Sequence, residues 1–244
     1  MSGPKFEIGL VMAGAISAGA YSAGVVDFII EALDKYYEAK KRPEWDGPRH
    51  DVRVPVLAGA SAGGMTAAII ALQAFRNIQH VASQQPPPEA AANRLYSSWV
   101  RDIDITRLLE TDDPRELTAV QSLLCCKVLD EIVDKAFVGF TPDKKRPWIG
   151  SDDDPLRVFL TVTNLRGLPC SFELFGDQDC YGMLNHGDYL DFTVGSRPQE
   201  KDLEPGSLSL DVGDTTGANW DLFRDAAIAT GAFPIGLRPR SINR

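Results

Sequence analysis

Basic side chains are in short supply in this 244-residue chain: 25 Lys and Arg stand against 34 Asp and Glu, a formal charge of −9. Phosphate contacts need a basic face, so nucleic acid is excluded as the principal partner. The two short basic clusters, Lys40-Lys41-Arg42 and Lys144-Lys145-Arg146, read as solvated loop charges. Cysteine is sparse as well. Cys125, Cys126, Cys170 and Cys180 form no Cys-x-x-Cys pair, and His50, His80 and His186 lack metal-ligand spacing. A disulfide-stapled fold and a zinc site are therefore excluded, with reduced thiols, a cytoplasmic location and no required metal or cofactor as expectations. Cys125 and Cys126 follow Leu123-Leu124 and are expected to be buried as small apolar groups. The charge-free stretch Ile8 to Val26 is interrupted by Gly9, Gly14, Gly19 and Gly24 and is flanked by Glu7 and Asp27. Its small residues contribute too little transfer energy for a membrane span, so a buried soluble segment is expected.

What is present is an alternation of strand and helix patterns. Lys5 to Met12 reads as a buried strand, followed by a helix from about Ser17 or Ala18 to Tyr37. Its apolar positions Tyr21, Val25, Phe28, Ile29, Ala32 and Leu33 recur at three- and four-residue steps and predict the buried face. Val52 to Ala58 is a second strand, although Pro55 must then sit at an edge, a bulge or the strand start. An Ala- and Ile-rich helix from Met65 to about Phe75 comes next. Gln84 to Ala91, with three consecutive prolines, reads as a surface loop. The middle of the chain looks helical and inserted, with helices at Asn93 to Val100, Ile103 to Leu109 and Ser122 to Phe137. Strand signals return at Leu156 to Thr163 and Ser171 to Phe175, residues 176–219 read as loop, and Asp221 to Thr230 is a last helix. This order predicts one α/β domain over 1–244 with a mostly parallel sheet and a helical insertion around 90–140.

Gly59-Ala60-Ser61-Ala62-Gly63 is a Gly-x-Ser-x-Gly pentapeptide. Alone it is a weak signal, but here a strand precedes it and a helix follows it. A nucleophile elbow needs that context, because the serine is presented on a strained turn at the carboxyl edge of the sheet. Gly59 and Gly63 are required where the backbone folds too tightly for side chains. The bland alternative is a helix N-terminus with a capping serine. A second small-residue bend, Met12-Ala13-Gly14-Ala15-Ile16-Ser17-Ala18-Gly19, also follows a strand and opens a helix. Acyl transfer passes through a tetrahedral oxyanion that preorganised N–H groups stabilise. The amides of Gly14, Ala15 and Ile16 are the candidate donors, together with that of Ala62 behind the nucleophile. A phosphate cradle is the alternative, yet neither Gly-x-Gly-x-x-Gly nor Gly-x-x-x-x-Gly-Lys-[Ser/Thr] occurs.

These two bends, about forty-five residues apart and in this order, resemble the patatin-like phospholipase domain. Gly19-Ala20-Tyr21-Ser22-Ala23-Gly24-Val25 is similar to that family's helix after the oxyanion loop, and Gly59 to Gly64 to its elbow. Ala226 to Pro234 (AAIATGAFP) looks like the helix and Phe-Pro turn before its last catalytic strand. The loop variant Gly14-Ala15-Ile16-Ser17 is closest to a bacterial patatin-related subgroup. The resemblance implies a three-layer α/β/α fold and a hydrolase of lipid or phospholipid acyl esters, at most peripheral to membranes. It also implies a Ser–Asp dyad, with Ser61 attacking the acyl carbonyl and an aspartate as base.

The sequence departs from that family at two places. The family's aspartate lies in Asp-Gly-Gly or Asp-Gly-Ala after the Phe-Pro turn, whereas the one Asp-Gly pair here is Asp46-Gly47. The expectation is a domain cut short before that motif, either active only in a longer parent or a silent lipid-binding or regulatory domain. The family's arginine in the oxyanion loop is also missing, with Ser17 and Ala18 in that region. A Ser–His–Asp esterase using His186, with Asp177 or Asp179, is a third possibility. Asp211 and Asp214 read as turn residues. The run Asp152-Asp153-Asp154 lacks the alternating spacing of a calcium loop and reads as a solvated turn.

Overall fold

The first parallel pair, β1 (Lys5–Met12) and β2 (Asp51–Gly59), resolves the question raised by Pro55. In this computed structural model, described for residues 4–15, 19–81, 89, 92–111, 122–137, 139–149, 154–173, 175, 180–196 and 203–243, Glu7 faces Arg53 and Gly9 faces Val56. Val54 and Pro55 therefore share the place opposite Ile8, which is a β-bulge. The Val54 amide turns away to the Trp148 carbonyl at 2.8 Å. Pairing to the next strand begins at Val56, so the missing proline N–H interrupts no ladder bond.

Three further strands follow: β3 (Leu156–Glu173), β4 (Cys180–Gly195) and β5 (Ser207–Asp211). The sheet order is β1-β2-β3-β4-β5, antiparallel at β3–β4 and parallel at every other junction. It is a mostly parallel mixed sheet, consistent with the α/β/α arrangement that the resemblance implies. The reading of 176–219 as loop is corrected: β4 and β5 both lie in it, and β3 runs unbroken through the expected gap before Ser171. Their Gly and Asp residues hid the pattern because much of β3–β4 is a two-stranded ribbon with neither face buried.

The helices are α1 (Gly19–Lys40), α2 (Ala62–Gln73), the short α3 (Arg94–Tyr96) running into a π-helical turn (Ser97–Asp102), α4 (Ile105–Leu108), α5 (Lys127–Phe137) and α6 (Ala218–Ala229). None of the described helices is long and apolar enough to cross a membrane. Helix α2 is buried almost all round, and its small residues let the sheet and the flanking helices approach closely. Leu57, Val158, Leu160, Phe192 and Leu210 of the sheet share one apolar core with α2 and α6, where Phe223 meets Phe192 edge-on at 4.8 Å.

Three sequence readings need correction here. Strand β1, expected to be buried along with the charge-free stretch that begins in it, is an edge strand with no fully buried residue, and Phe6 and Val11 are exposed. In α1 the buried stripe is Ala23, Val26, Ile30, Leu33 and Tyr37, whereas Tyr21, Val25 and Phe28 are exposed. Of the expected positions Leu33 is buried and Ile29 half-buried, and because apolar residues occur on both sides of this helix, three-to-four spacing alone does not select the buried side. The cluster at 144–146 is not a solvated patch either, because Arg146 is fully buried. Its Nε donates to both Asp34 oxygens at 3.0 Å, and its Nη1 donates to the carbonyls of Gln73, Ala74 and Arg76 at the end of α2. A cation at a helix C-terminus satisfies carbonyls that the helix cannot. Lys144 Nζ and Trp148 Nε1 also donate to Asp34. Burial raises the Asp34 pKa, but these donors and charges outweigh it and hold the carboxyl below its ordinary value.

Candidate active site

Strand β2 ends at Gly59 and helix α2 begins at Ala62, which leaves two residues to reverse the chain. Ser61 takes φ 55° and ψ −127° to do so. Residues with a side chain rarely adopt positive φ, and holding one there costs about 1–3 kcal/mol. Several bonds hold the bend. Ala60 N–H donates to the Met12 carbonyl (3.1 Å), Gly63 N–H to Ala60 (2.9 Å) and Met65 N–H to Ser61 (3.0 Å). The Ser61 amide itself donates to Thr230 Oγ1, just past the end of α6, at 2.9 Å. Thr161 Oγ1 on β3 donates to the Gly59 carbonyl at 3.3 Å.

Only glycine fits at the two crowded positions of this bend. A Cβ on Gly59 would lie 2.4 Å from the Gly63 backbone, and one on Gly63 would lie 2.2 Å from the Met12 carbonyl oxygen. The β1–α1 bend thus packs directly on the β2–α2 bend. Gly14 is where they meet: its Cβ position lies 2.9 Å from Ser61 Cβ and 3.6 Å from Ser61 Oγ. Ala15 follows it, half-buried, while Ile16, Ser17 and Ala18 lie outside the described residues. Ala62 is buried at the first position of α2, where a helix N–H has no acceptor within the helix and the dipole favours negative charge. The bland alternative, Ser61 as a helix cap, fails on a plain observation: its side chain makes no capping bond.

Thr230 and Met65 were not assigned any role from sequence. Nothing local marks Thr230, since its partner amide is 169 residues away. Met65 lies one helical turn beyond Ser61 and opens a narrow apolar cavity between α2, Trp99, α5 (Leu129, Ile132) and α6. The cavity holds about 20 Å³, room for one water-sized occupant. A second residue with a side chain at positive φ, Ile235 (70°), lies in the turn after Phe233-Pro234. Its carbonyl accepts from Leu123 N–H.

Other candidates lie elsewhere. His186 is on β4, beyond the end of β2, with Nδ1 2.7 Å from the Asn164 carbonyl. Leu190 sits opposite Leu160, which pairs with Gly59. At about 3.3 Å per residue, His186 is roughly 13 Å further along its strand than that level. Asp211 ends β5, which runs opposite to β2, so it lies at the other edge of the sheet and accepts from Gly213 N–H. Asp214 accepts from Thr216. Asp154 pairs with Arg53 at 2.8 Å. Asp152, Asp153, Asp177 and Asp179 lie outside the described residues, as does most of the loop 84–91. Asp27 accepts from Asn93, Val81 N–H and His80, and Asp191 pairs with Arg157. Among the described residues, no carboxylate or imidazole hydrogen-bonds Ser61 Oγ.

Comparison with known proteins gives two matches. A family model described as patatin-like phospholipase matches residues 10–154, which include both bends. An uncharacterized protein of Sinorhizobium fredii (strain NBRC 101917 / NGR234), y4iI, is 36% identical over 266 aligned residues. The alignment covers 99% of this chain and 37% of that relative, so the chain spans little more than a third of its length. No solved structure matches.

Proposed function

Because the chain belongs to the patatin-like phospholipase family, we propose that it hydrolyses acyl esters of lipids with Ser61 as the nucleophile. The observation that carries this reading is the pairing of the two bends: Ser61 is strained on a strand–helix turn, with Gly14 against its side chain. A functional serine accounts for both the strain and the contact, whereas a merely structural one needs neither.

In the proposed reaction, Ser61 Oγ bonds to the ester carbonyl carbon as its proton passes to a general base. The carbonyl π pair moves to oxygen, and the resulting oxyanion is held by the amides of Gly14, Ala15, Ile16 and Ala62. Each such donor contributes a factor of roughly 10²–10³ in rate. Collapse breaks the C–O bond to the alcohol, which leaves with the proton. Water then attacks the acyl-serine and releases the carboxylic acid. The resemblance assigns the base to an aspartate. The fact that no described carboxylate meets Ser61 Oγ favours a second reading, a silent lipid-binding domain.

Turnover of a short-chain chromogenic ester by wild type and Ser61→Ala separates the two readings. Hydrolysis at least about 100-fold above the variant supports the nucleophile. Equal turnover in both proteins removes Ser61 from the chemistry. Background rates in both, with lipid binding retained, establish the silent reading.

A further inference from the structure

Beyond the end of β2, strands β3 and β4 continue as a two-stranded antiparallel arm. Gly59 pairs with Leu160, and beyond it β3 pairs with β4 alone, from Thr161 opposite Tyr189 to Glu173 opposite Cys180, with a register shift between Thr163 and Leu168. The arm therefore leaves the sheet at the same edge as the Ser61 bend. Counted on β4 from Tyr189 to Cys180, at about 3.3 Å per residue, it reaches roughly 30 Å.

Directly opposed residues share a face, so Leu168, Cys170 and Phe172 lie on one side together with Tyr181 and Met183. All five are exposed, and the Phe172 and Tyr181 rings stack at 5.8 Å. Phe175, two residues past the end of β3, is completely exposed. Two strands alone are marginally stable in water, and a contiguous apolar patch of this kind marks an interaction surface. Tyr21 in the first turn of α1 and Phe233 after Thr230 add exposed aromatic surface next to the two bends.

Resting on the lipid-ester reading above, we infer that the arm's apolar face docks on an uncharged phospholipid surface and so delivers packed lipid to the Ser61 edge. Three observations select this occupant. First, the arm leaves the sheet at the edge where a lipid ester would react and carries its apolar face roughly 17–30 Å beyond the Ser61 level, so the face and the Ser61 edge front the same side of the molecule. Second, its charge disfavours the other surfaces. The described arm carries Glu173 and Asp188 against Arg166, the sequence adds Asp177 and Asp179 between the strands, and the whole chain stands at −9. An anionic membrane or a second copy of the chain meets like charge, whereas a zwitterionic surface does not. Third, its area is small. With side chains of about 150–250 Å² each, the exposed parts of these residues amount to roughly 600 Å², short of the about 800 Å² per partner in a stable protein interface. Insertion among acyl chains needs no shape-matched partner, and aromatic side chains suit the depth of the headgroups.

The test uses the full chain and vesicles of phosphatidylcholine, with and without 30% phosphatidylserine. Wild type is compared with the arm variant Phe172→Ser/Phe175→Ser/Met183→Ser, and circular dichroism checks that the variant is folded. Expected are co-sedimentation of wild type with phosphatidylcholine, weaker binding when phosphatidylserine is added, and at least tenfold weaker binding by the arm variant. Hydrolysis of a monomeric short-chain ester should stay within twofold in that variant. Equal vesicle binding by the two proteins overturns the inference. So does a wild-type dimer, seen by light scattering, that the arm substitutions dissociate while vesicle binding is absent. Ser61→Ala keeps the two proposals apart: failure of the hydrolase reading leaves monomeric-ester turnover at background with vesicle binding intact.

Discussion

Replacing Thr230 by valine removes one oxygen from the support of Ser61 and little else. Thr230 Oγ1 accepts the Ser61 N–H at 2.9 Å, and both Thr230 branches press on Gly64, whose Cβ position lies 2.6 Å from Cγ2 and 2.7 Å from Oγ1. Valine keeps that shape and leaves the amide without an acceptor. A buried donor stripped of its partner costs about 1–3 kcal/mol. Ser61 is half-buried, so water recovers part of the bond and the lower half of that range, about 1–2 kcal/mol, is expected. For a chain of this size, Tm should fall by roughly 2–8 °C. The strain at φ 55° gives the substitution a second consequence, because a bend with one tether fewer can relax and carry the hydroxyl off its line of attack. Thermal unfolding and the rate of labelling by a fluorophosphonate should therefore fall together in Thr230→Val. Thr230→Ser restores the acceptor and loses only a methyl, so its labelling rate should stay near that of wild type. Full labelling in the valine variant, or a loss in the serine variant as large as in valine, would refute the tether.

Three further outcomes follow from the fold. Arg146→Ala takes one donor from the Asp34 carboxylate, which keeps Lys144 and Trp148, and strands three carbonyls at the end of α2; at about 1–3 kcal/mol for each unsatisfied group it should cost at least about 3 kcal/mol in denaturant unfolding. Asp34 has a depressed pKa in the folded chain, so its contribution is complete above about pH 4, the ordinary carboxylate value, and is lost as pH falls through the depressed one. Asp34→Asn should consequently lower stability at neutral pH and flatten the loss of stability on acidification. Pro55→Ala should change stability by no more than about 0.5 kcal/mol, because the bulge asks for no N–H there; a larger loss would mean that the ring itself fixes the bulge.

The elements that build the candidate site were the most legible in sequence, because each rests on local chemistry. A strand, a run of small residues and a helix recur at 5–40 and at 51–73, and Gly59 and Gly63 mark the close approach of the second bend. Long-range partners were not legible. Arg146 looked like a surface charge because its carboxylate is 112 residues away, and Thr230 looked like any residue at the end of a helix. The arm was missed for another reason. Strand patterns are read from one buried face, and residues such as Gly182, Asn185 and Gly187 are held by cross-strand pairing alone, with no core beside them. The buried side of α1 was legible only in part, at Leu33, because its exposed side carries apolar residues too, at Tyr21, Val25 and Phe28.

The most direct measurement of Ser61 as nucleophile is covalent trapping: treat the chain with a fluorophosphonate, digest it and locate the adduct by mass spectrometry. A single adduct on Ser61, absent from Ser61→Ala and slowed in Thr230→Val, is the expected result. An adduct on another serine, or equal modification of wild type and Ser61→Ala, would contradict it.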